Sequence, residues 1–183
     1  MKKKIFIGLG IAVLLFVVWV VYGLFFAPRP SPLKTTEFSG NGIDIKVVYS
    51  QPYKKGRLIF GEEKDGALQP YGKYWRLGAN EATEITFNKN INFAGKSVNA
   101  GTYRMYAVPG ASTWQVSLNS ELGVFFGVTE PKYELDVVKV EVPSGTAPAE
   151  TEQFVINFSN DSITVNMDFV WDKTQVRVPI TAQ

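Results

Sequence analysis

The stretch Tyr71–Phe87, YGKYWRLGANEATEITF, decides the fold of this chain. It combines aromatic residues and an arginine with the turn-forming run Gly78–Glu81, and it ends in Glu84–Phe87, where polar and apolar residues alternate. Alternation with a period of two indicates a half-buried β-strand, and Gly and Asn are typical of turns with left-handed backbone. We therefore expect an irregular loop that leads into a strand, with the rest of the domain built around it.

The same period of two recurs after Phe38, in short segments that are mostly bounded by Gly, Pro, Asn, Asp or Ser. No long stretch of this part has helical periodicity. Such a pattern favours an all-β fold over an α/β fold, and we predict an antiparallel β-sandwich of the jelly-roll type. The predicted strands are 43–49, 84–87, 103–108, 114–118, 138–142, 154–158, 163–167 and 176–180.

Two connections between these segments have distinct compositions. Ala94-Gly95 fits a tight hairpin that joins 91–93 to 96–98. Pro143–Glu150, PSGTAPAE, consists mainly of small residues and prolines. We expect it to be a mobile linker between two strands.

The N-terminal segment Ile5–Ala27 is apolar or glycine throughout, apart from Trp19 and Tyr22. A helix of about 23 residues is roughly 34 Å long, which is enough to cross the hydrocarbon layer of a membrane. The rival interpretation, a cleaved signal peptide, predicts a shorter apolar core and a small-x-small cleavage site. The exit Tyr22–Ala27 offers no such site, so we favour an uncleaved transmembrane helix.

Charge sets the expected orientation of this helix. Lys2–Lys4 precede it, and no acidic residue occurs before Glu37. The positive-inside rule then predicts a single-pass protein of the cytoplasmic membrane with a periplasmic or extracytoplasmic C-terminal domain. We divide the chain into a cytoplasmic tip (1–4), a transmembrane helix (5–27), a Pro-rich linker (28–37) and the β-sandwich (38–183).

The composition excludes several classes of function. Three of the 19 basic residues lie in the tip, which leaves 16 bases against 17 acids, so the folded part lacks the basic stripe of a nucleic-acid-binding protein. The chain has no cysteine and no histidine. Their absence excludes Ser-His-Asp and Cys-His catalysis and nearly every zinc site. We predict no cofactor, no metal site and no nucleic-acid partner.

A series of short motifs carries a family resemblance. The chain contains, in order, Ser50-Gln-Pro52, Lys55–Gly61, Pro70–Gly72, Trp75-Arg76, Gly78–Thr83, Phe87, Ala100–Tyr103, Val108-Pro109 and Trp114–Val116. This order resembles a bacterial envelope family known as domain of unknown function 2911, over about 38–180. The resemblance implies a β-sandwich-like domain that is usually exported, and it implies no particular activity.

The chain departs from the family pattern in two places. Glu62–Leu68 is additional loop before Pro70. Where the family tends to carry Trp-Gly and paired tyrosines, this chain has Leu122-Gly123 and Phe125-Phe126. If those aromatic hydroxyls line a shared site, this chain has lost them.

The candidate binding residues lie in and near the stretch Tyr71–Phe87. Arginine offers a rigid fork of donors for a carboxylate or phosphate, aromatic rings stack on a sugar or a guanidinium, and Asn and Glu accept hydroxyls. Together they predict a small polar site with aromatic walls. The candidates are Arg57, Tyr71, Trp75, Arg76, Asn80 and Glu81.

The same residues also have a purely structural interpretation, which we favour slightly. Arg76 then pairs with Glu81 or Glu84 across a turn, Asn80 adopts left-handed backbone and bonds its own main chain, and Trp75 fills the core. An irregular loop in a sandwich needs such side chains to satisfy its backbone groups. The two interpretations are compatible with each other.

We expect a non-catalytic binding or interaction module with no catalytic residues. Its partners would be the lipid bilayer, through the helix, and a small anionic or hydroxylated molecule, a glycan or an envelope protein. One alternative is a hydrolase that uses carboxylates around Gly78–Thr83. Alternation places Glu81 and Glu84 on opposite faces, which suits a two-carboxylate hydrolase poorly. A second alternative is a structural component of a membrane assembly.

Overall fold

The computed structural model of the chain describes residues 2–26, 29–124 and 127–183. These form two compact units, Met1–Pro30 and Ser31–Gln183. Within the predicted tip, helix and linker, Met1, Ala27 and Pro28 lie outside the described residues.

The first unit contains one α-helix, α1, Lys2–Phe25. Its segment Phe6–Gly23 is long and apolar enough to cross a membrane, and it is the one such segment among the residues described. A membrane anchor and a signal sequence both contain a helix of this kind.

The second unit consists mainly of β-strands and irregular loops, and its described residues include two short 3₁₀ helices, Glu63–Asp65 and Tyr133–Leu135. The first of these helices lies in the additional loop before Pro70. The strands are β1 Leu33–Gly40, β2 Ile43–Ser50, β3 Phe60–Gly61, β4 Gln69–Pro70, β5 Thr83–Phe87, β6 Ile91–Phe93, β7 Lys96–Val98, β8 Gly101–Val108, β9 Thr113–Asn119, β10 Asp136–Asn160 and β11 Val165–Ala182.

The predicted all-β antiparallel fold is confirmed. Nine strands follow the spatial order β1-β2-β5-β8-β9-β10-β11-β6-β7, and every neighbouring pair in this order is antiparallel. The short strands β3 and β4 form a separate parallel pair. The hairpin at Ala94-Gly95 joins β6 to β7 as its turn residues indicate.

Strand β10 joins the two halves of this sheet, which are β1-β2-β5-β8-β9 and β11-β6-β7. Its first part, 136–143, pairs with β9, and its second part, 144–160, pairs with β11. Tyr49 of β2 and Phe154 of β10 pack edge to face with ring centroids 5.6 Å apart, although their strands are not neighbours in the sheet order. The sheet therefore folds back on itself, and its two halves face each other across the core.

The core follows from the alternation in the sequence. In β2, Ile43, Ile45 and Val47 are buried, whereas Asp44 and Lys46 between them are exposed. One end of the core is a cluster of aromatic rings in mutual contact. Its members are Phe60, Trp75, Trp114, Phe154 and Trp171.

Two sequence predictions about connections were wrong. The predicted linker Pro143–Glu150 lies within β10, where Ser144–Thr146 pair with Thr174–Val176. Ala147 is buried, and Pro148 falls where the register with β11 shifts, so its missing N–H breaks no regular ladder. Residues 33–37, assigned to the linker, begin β1 and pair with β2.

Candidate functional site

The loop before β5 has an irregular backbone that its own side chains hold in place. Leu77 and Asn80 have positive φ angles of 53° and 57°, and Gly78 has φ 156°. A Cβ on Gly78 would lie 2.7 Å from the Ser50 carbonyl oxygen, so this position requires glycine. The Thr83 hydroxyl donates to the Leu77 carbonyl at 2.8 Å, which secures the loop to the strand it precedes.

Trp75 fastens this loop to the core. It is 2 % exposed and its ring contacts four other aromatic rings. Its backbone exchanges hydrogen bonds of 2.8 and 2.9 Å with Ala107 of β8, and its indole N–H donates to the Gly78 carbonyl at 3.1 Å. This position agrees with the structural interpretation of Trp75.

Arg76 lies half-buried beside the loop, and its one hydrogen bond to the described residues is long. Its Nη1 donates to the Asn80 carbonyl at 3.3 Å. Burial lowers the pKa of the Arg76 guanidinium; the positive charge of Arg104 lowers it further, and the Tyr74 hydroxyl acts in the opposite direction. No carboxylate contributes to this shift, and Arg76 has no ion-pair partner among the described residues, so its partly desolvated charge is not neutralised by this part of the chain.

Asn80 and Glu81 hold neighbouring segments in place. The Asn80 carbonyl accepts hydrogen bonds from Arg76 and from Gly127 N at 2.8 Å, and its side-chain amide donates to the Ser31 carbonyl at 3.4 Å. Asn80 thus has the expected left-handed backbone, but its side chain bonds a distant carbonyl instead of its own main chain. The Glu81 carboxylate accepts a hydrogen bond from the buried Ser50 hydroxyl at 3.0 Å.

The remaining two candidates lie elsewhere. Arg57 is exposed, and its guanidinium donates to the carbonyls of Tyr53 and Lys54 within its own turn. Tyr71 is half-buried and lines a groove with Trp114 and residues of β10 and β11. The structure therefore brings Trp75, Arg76, Asn80 and Glu81 together in one loop. The proposal that any of these residues binds a ligand stays a prediction.

Arg104 is a residue that our sequence analysis missed. It lies on β8 between Tyr103 and Met105 and is 1 % exposed. Its guanidinium donates to the Glu121 carboxylate at 2.8 Å, to the Tyr74 hydroxyl at 2.7 Å and to the Thr129 carbonyl at 2.6 Å. Arg104 lies in a strand that alternation predicted, but alternation does not indicate that the face carrying Arg104 is covered.

The same outer face of the sheet carries a second polar cluster. The Tyr106 hydroxyl donates to Asp136 at 2.8 Å, the Asn119 amide donates to the same carboxylate at 2.8 Å, and Lys139 pairs with it at 2.8 Å. Burial, followed by the bond to Glu130, raises the pKa of Tyr133 to about 12. The Asn119 amide also donates to the Lys132 carbonyl at 2.9 Å, and the Tyr133 ring packs on the Tyr106 ring, so Lys132 and Tyr133 are attached to the sheet.

Two polar atoms in this layer lack a hydrogen-bond partner among the described residues. They are Nε of Arg104 and the hydroxyl of Ser117, and both are buried. Arg104 pairs with Asn119 across the strands, and Ser117 is two residues from Asn119 on the same face. Both residues therefore lie on the same face of the sheet.

Fold and site together define an all-β domain with an apolar N-terminal helix, in which an irregular loop packs on a buried arginine. Residues 31–180 match the family described as protein of unknown function DUF2911, and the chain belongs to this family. The match confirms the resemblance seen in the sequence. No curated protein and no solved structure matches the chain. Of the family departures, Phe125-Phe126 lies outside the described residues, whereas Gly123 N donates to the Glu84 carboxylate at 3.3 Å.

Proposed function

We propose that this protein is a membrane-tethered binding module that captures a small anionic molecule outside the cytoplasm. The tether is α1, whose Phe6–Gly23 segment has the length and composition of a membrane span. Lys2–Lys4 precede this apolar segment, and no acidic residue occurs before Glu37. Both features favour a cytoplasmic N-terminus. The β-domain then faces the periplasm or cell exterior from the cytoplasmic membrane.

The uncompensated charge of Arg76 carries the binding proposal. A half-buried guanidinium has lost part of its hydration, and natural proteins usually compensate such a loss with a carboxylate. Arg104 has that compensation from Glu121, whereas the described residues offer Arg76 a single 3.3 Å bond to a carbonyl. An anion that received the remaining donors of Arg76 would be bound with charge-assisted hydrogen bonds.

The carboxylates near the loop favour binding over hydrolysis. A glycosidase-type hydrolase needs two carboxyl groups that face one substrate at a fixed separation. Here Glu81 accepts a hydrogen bond from Ser50, and Glu84 accepts one from Gly123 N. The two acidic side chains therefore serve different structural contacts.

Thermal unfolding of the full-length protein in detergent tests the binding proposal. Acetate, citrate and inorganic phosphate are added at constant ionic strength, with chloride as the reference salt. A ligand that binds only the folded state raises the unfolding temperature as its concentration exceeds the Kd. We expect stabilisation by at least one anion in the wild type and none in Arg76→Met.

Arg57→Met is the matched control, because Arg57 is an exposed arginine that bonds only to its own turn. It should keep the stabilisation by the anion. The proposal fails if no anion stabilises the wild type beyond chloride, or if Arg76→Met responds as the wild type does.

Protease accessibility tests the orientation. A protease added to intact spheroplasts should degrade the β-domain and leave a membrane-bound fragment that contains α1. Full protection of the β-domain would contradict the proposed orientation, and a mature protein that begins after Phe25 would identify α1 as a cleaved signal sequence.

A further inference from the structure

A second concave surface lies away from Arg76. It is a groove of about 210 Å³ between the loop that carries Tyr71, the β8–β9 connection, and the paired strands β10 and β11. Drug-sized ligands occupy pockets of about 300–1,000 Å³, so this groove has room for a single small ring. Its lining includes Tyr71, Trp114, Ser144, Thr146, Lys173 and Thr174.

The strand register explains why hydroxyl groups converge there. Thr146 of β10 lies directly opposite Thr174 of β11, and Ser144 is two residues before Thr146. Residues two apart on a strand, and residues directly opposite across a ladder, share one face of the sheet. Ser144, Thr146 and Thr174 therefore present their hydroxyls on the same side.

None of these hydroxyls forms a hydrogen bond with another described residue of the protein. Across residues 29–124 and 127–183, the side-chain hydroxyls of Tyr71, Ser144, Thr146 and Thr174 make no hydrogen bond, and neither does the indole N–H of Trp114. Other hydroxyls of the domain are taken up by internal partners, as that of Thr86 is by Thr102 at 2.9 Å. The groove thus keeps several fixed donors and acceptors available to an external molecule.

We propose that this groove binds the ring of a monosaccharide, either free or at the end of a glycan. Each protein hydroxyl both donates and accepts a hydrogen bond, which suits the hydroxyls around a sugar ring. The exposed lining of the groove is almost wholly polar, and Tyr71 adds a further hydroxyl to it, so hydrogen bonds to the sugar hydroxyls would supply the binding. Lys173, 73 % exposed and 3.8 Å from Glu150, adds a donor at the rim.

The test is saturation-transfer NMR on the full-length protein in detergent, with glucose, galactose and N-acetylglucosamine as separate probes. A single ring makes few contacts, so a Kd on the order of 1 mM is expected for the sugar that fits best. The variant Ser144→Ala/Thr174→Val removes two hydroxyls with little change in shape. It should weaken binding about tenfold or more.

Two matched variants keep the test specific. Thr35→Val removes an exposed hydroxyl from β1, far along the sheet order from β10 and β11, and should bind the sugar as the wild type does. Arg76→Met should also retain sugar binding, because Arg76 does not line the groove. A failure of the sugar proposal can therefore be distinguished from a failure of the anion proposal. The proposal is overturned if none of the three sugars binds the wild type, or if Ser144→Ala/Thr174→Val, with an unchanged unfolding temperature, binds as tightly as Thr35→Val.

Discussion

The positive charge of Arg104 lowers the pKa of Arg76, yet among the described residues Arg104 pairs with a carboxylate, Glu121 at 2.8 Å, and Arg76 does not. Arg104 thus belongs to a hydrogen-bonded network, whereas the described residues leave the charge of Arg76 unbalanced. This difference predicts that the two arginines respond in different ways to the same substitution.

Arg104→Met should destabilise the domain by about 3 kcal/mol, because it leaves Glu121 and the Thr129 carbonyl without their buried donor. The cost stays at the lower end of the usual range because the Glu121 side chain is 21 % exposed and Lys132 lies 3.6 Å from it. Urea unfolding followed by tryptophan fluorescence gives the change in free energy.

Arg76→Met provides the comparison in the same assay. It loses one long hydrogen bond and also removes a cation that faces Arg104, so the free energy of unfolding should change by less than about 1 kcal/mol. Equal losses in both variants would show that Arg76 is as much a structural residue as Arg104.

Gly78→Ala should be among the most damaging small substitutions, at roughly 2–3 kcal/mol. The new Cβ would meet the Ser50 carbonyl oxygen at 2.7 Å, on a backbone whose φ of 156° disfavours side chains. Chemical denaturation measures the loss.

Gly56→Ala is the matched control for this effect. Gly56 also has a positive φ, 67°, but a Cβ there would meet nothing within 4 Å. Gly56→Ala should lower the free energy of unfolding only by the strain of a side chain on left-handed backbone, about 1 kcal/mol. If the two alanine variants are equally stable, the close approach of the loop to β2 does not constrain the fold.

The shape of this loop was predictable from sequence because left-handed backbone has a chemical signature. Glycine adopts it without steric cost, and asparagine tolerates it well, so Gly78 and Asn80 indicated a turn before the β5 strand. The alternation of apolar residues likewise indicated the strands of the nine-stranded sheet other than β1.

The pairing of β10 and the burial of Arg104 were not predictable in the same way. Pro143–Glu150 has the composition of a loop, and it is extended because β11 supplies a partner from a distant part of the chain. The burial of Arg104 depends on its contacts with Glu121 and Thr129, which no local pattern indicates. Both features depend on contacts between residues far apart in sequence, which local propensity does not encode.

Trp75→Ala should cost about 3–5 kcal/mol, since it removes the indole from the aromatic end of the core and leaves a cavity. Tyr71→Ala is the comparison, because its half-buried ring borders a groove and has less packing to lose. Thermal unfolding distinguishes them. If Trp75→Ala were as stable as Tyr71→Ala, Trp75 would not support the core, and a role in ligand binding would be favoured instead.

Lys54→Met should reveal a pH-dependent contribution to stability. Lys54 Nζ lies 2.6 Å from both Asp172 and Glu150, and hydrogen bonds to Asp172 and then Glu150 raise its pKa from 10.5 to about 12. A raised lysine pKa stabilises the fold fully below about pH 10.5, and this contribution is lost as the pH rises through 12. The hydrogen bond from Lys54 lowers the pKa of Glu150 below its ordinary value of 4.5. The stabilisation that Glu150 provides is therefore present above about pH 4.5 and is lost as the pH falls further. The gap in unfolding temperature between wild type and Lys54→Met should therefore be widest from about pH 5 to 10 and narrow at both extremes. A gap that does not vary with pH would mean that Lys54 stabilises the chain through its aliphatic stem and not through its charge.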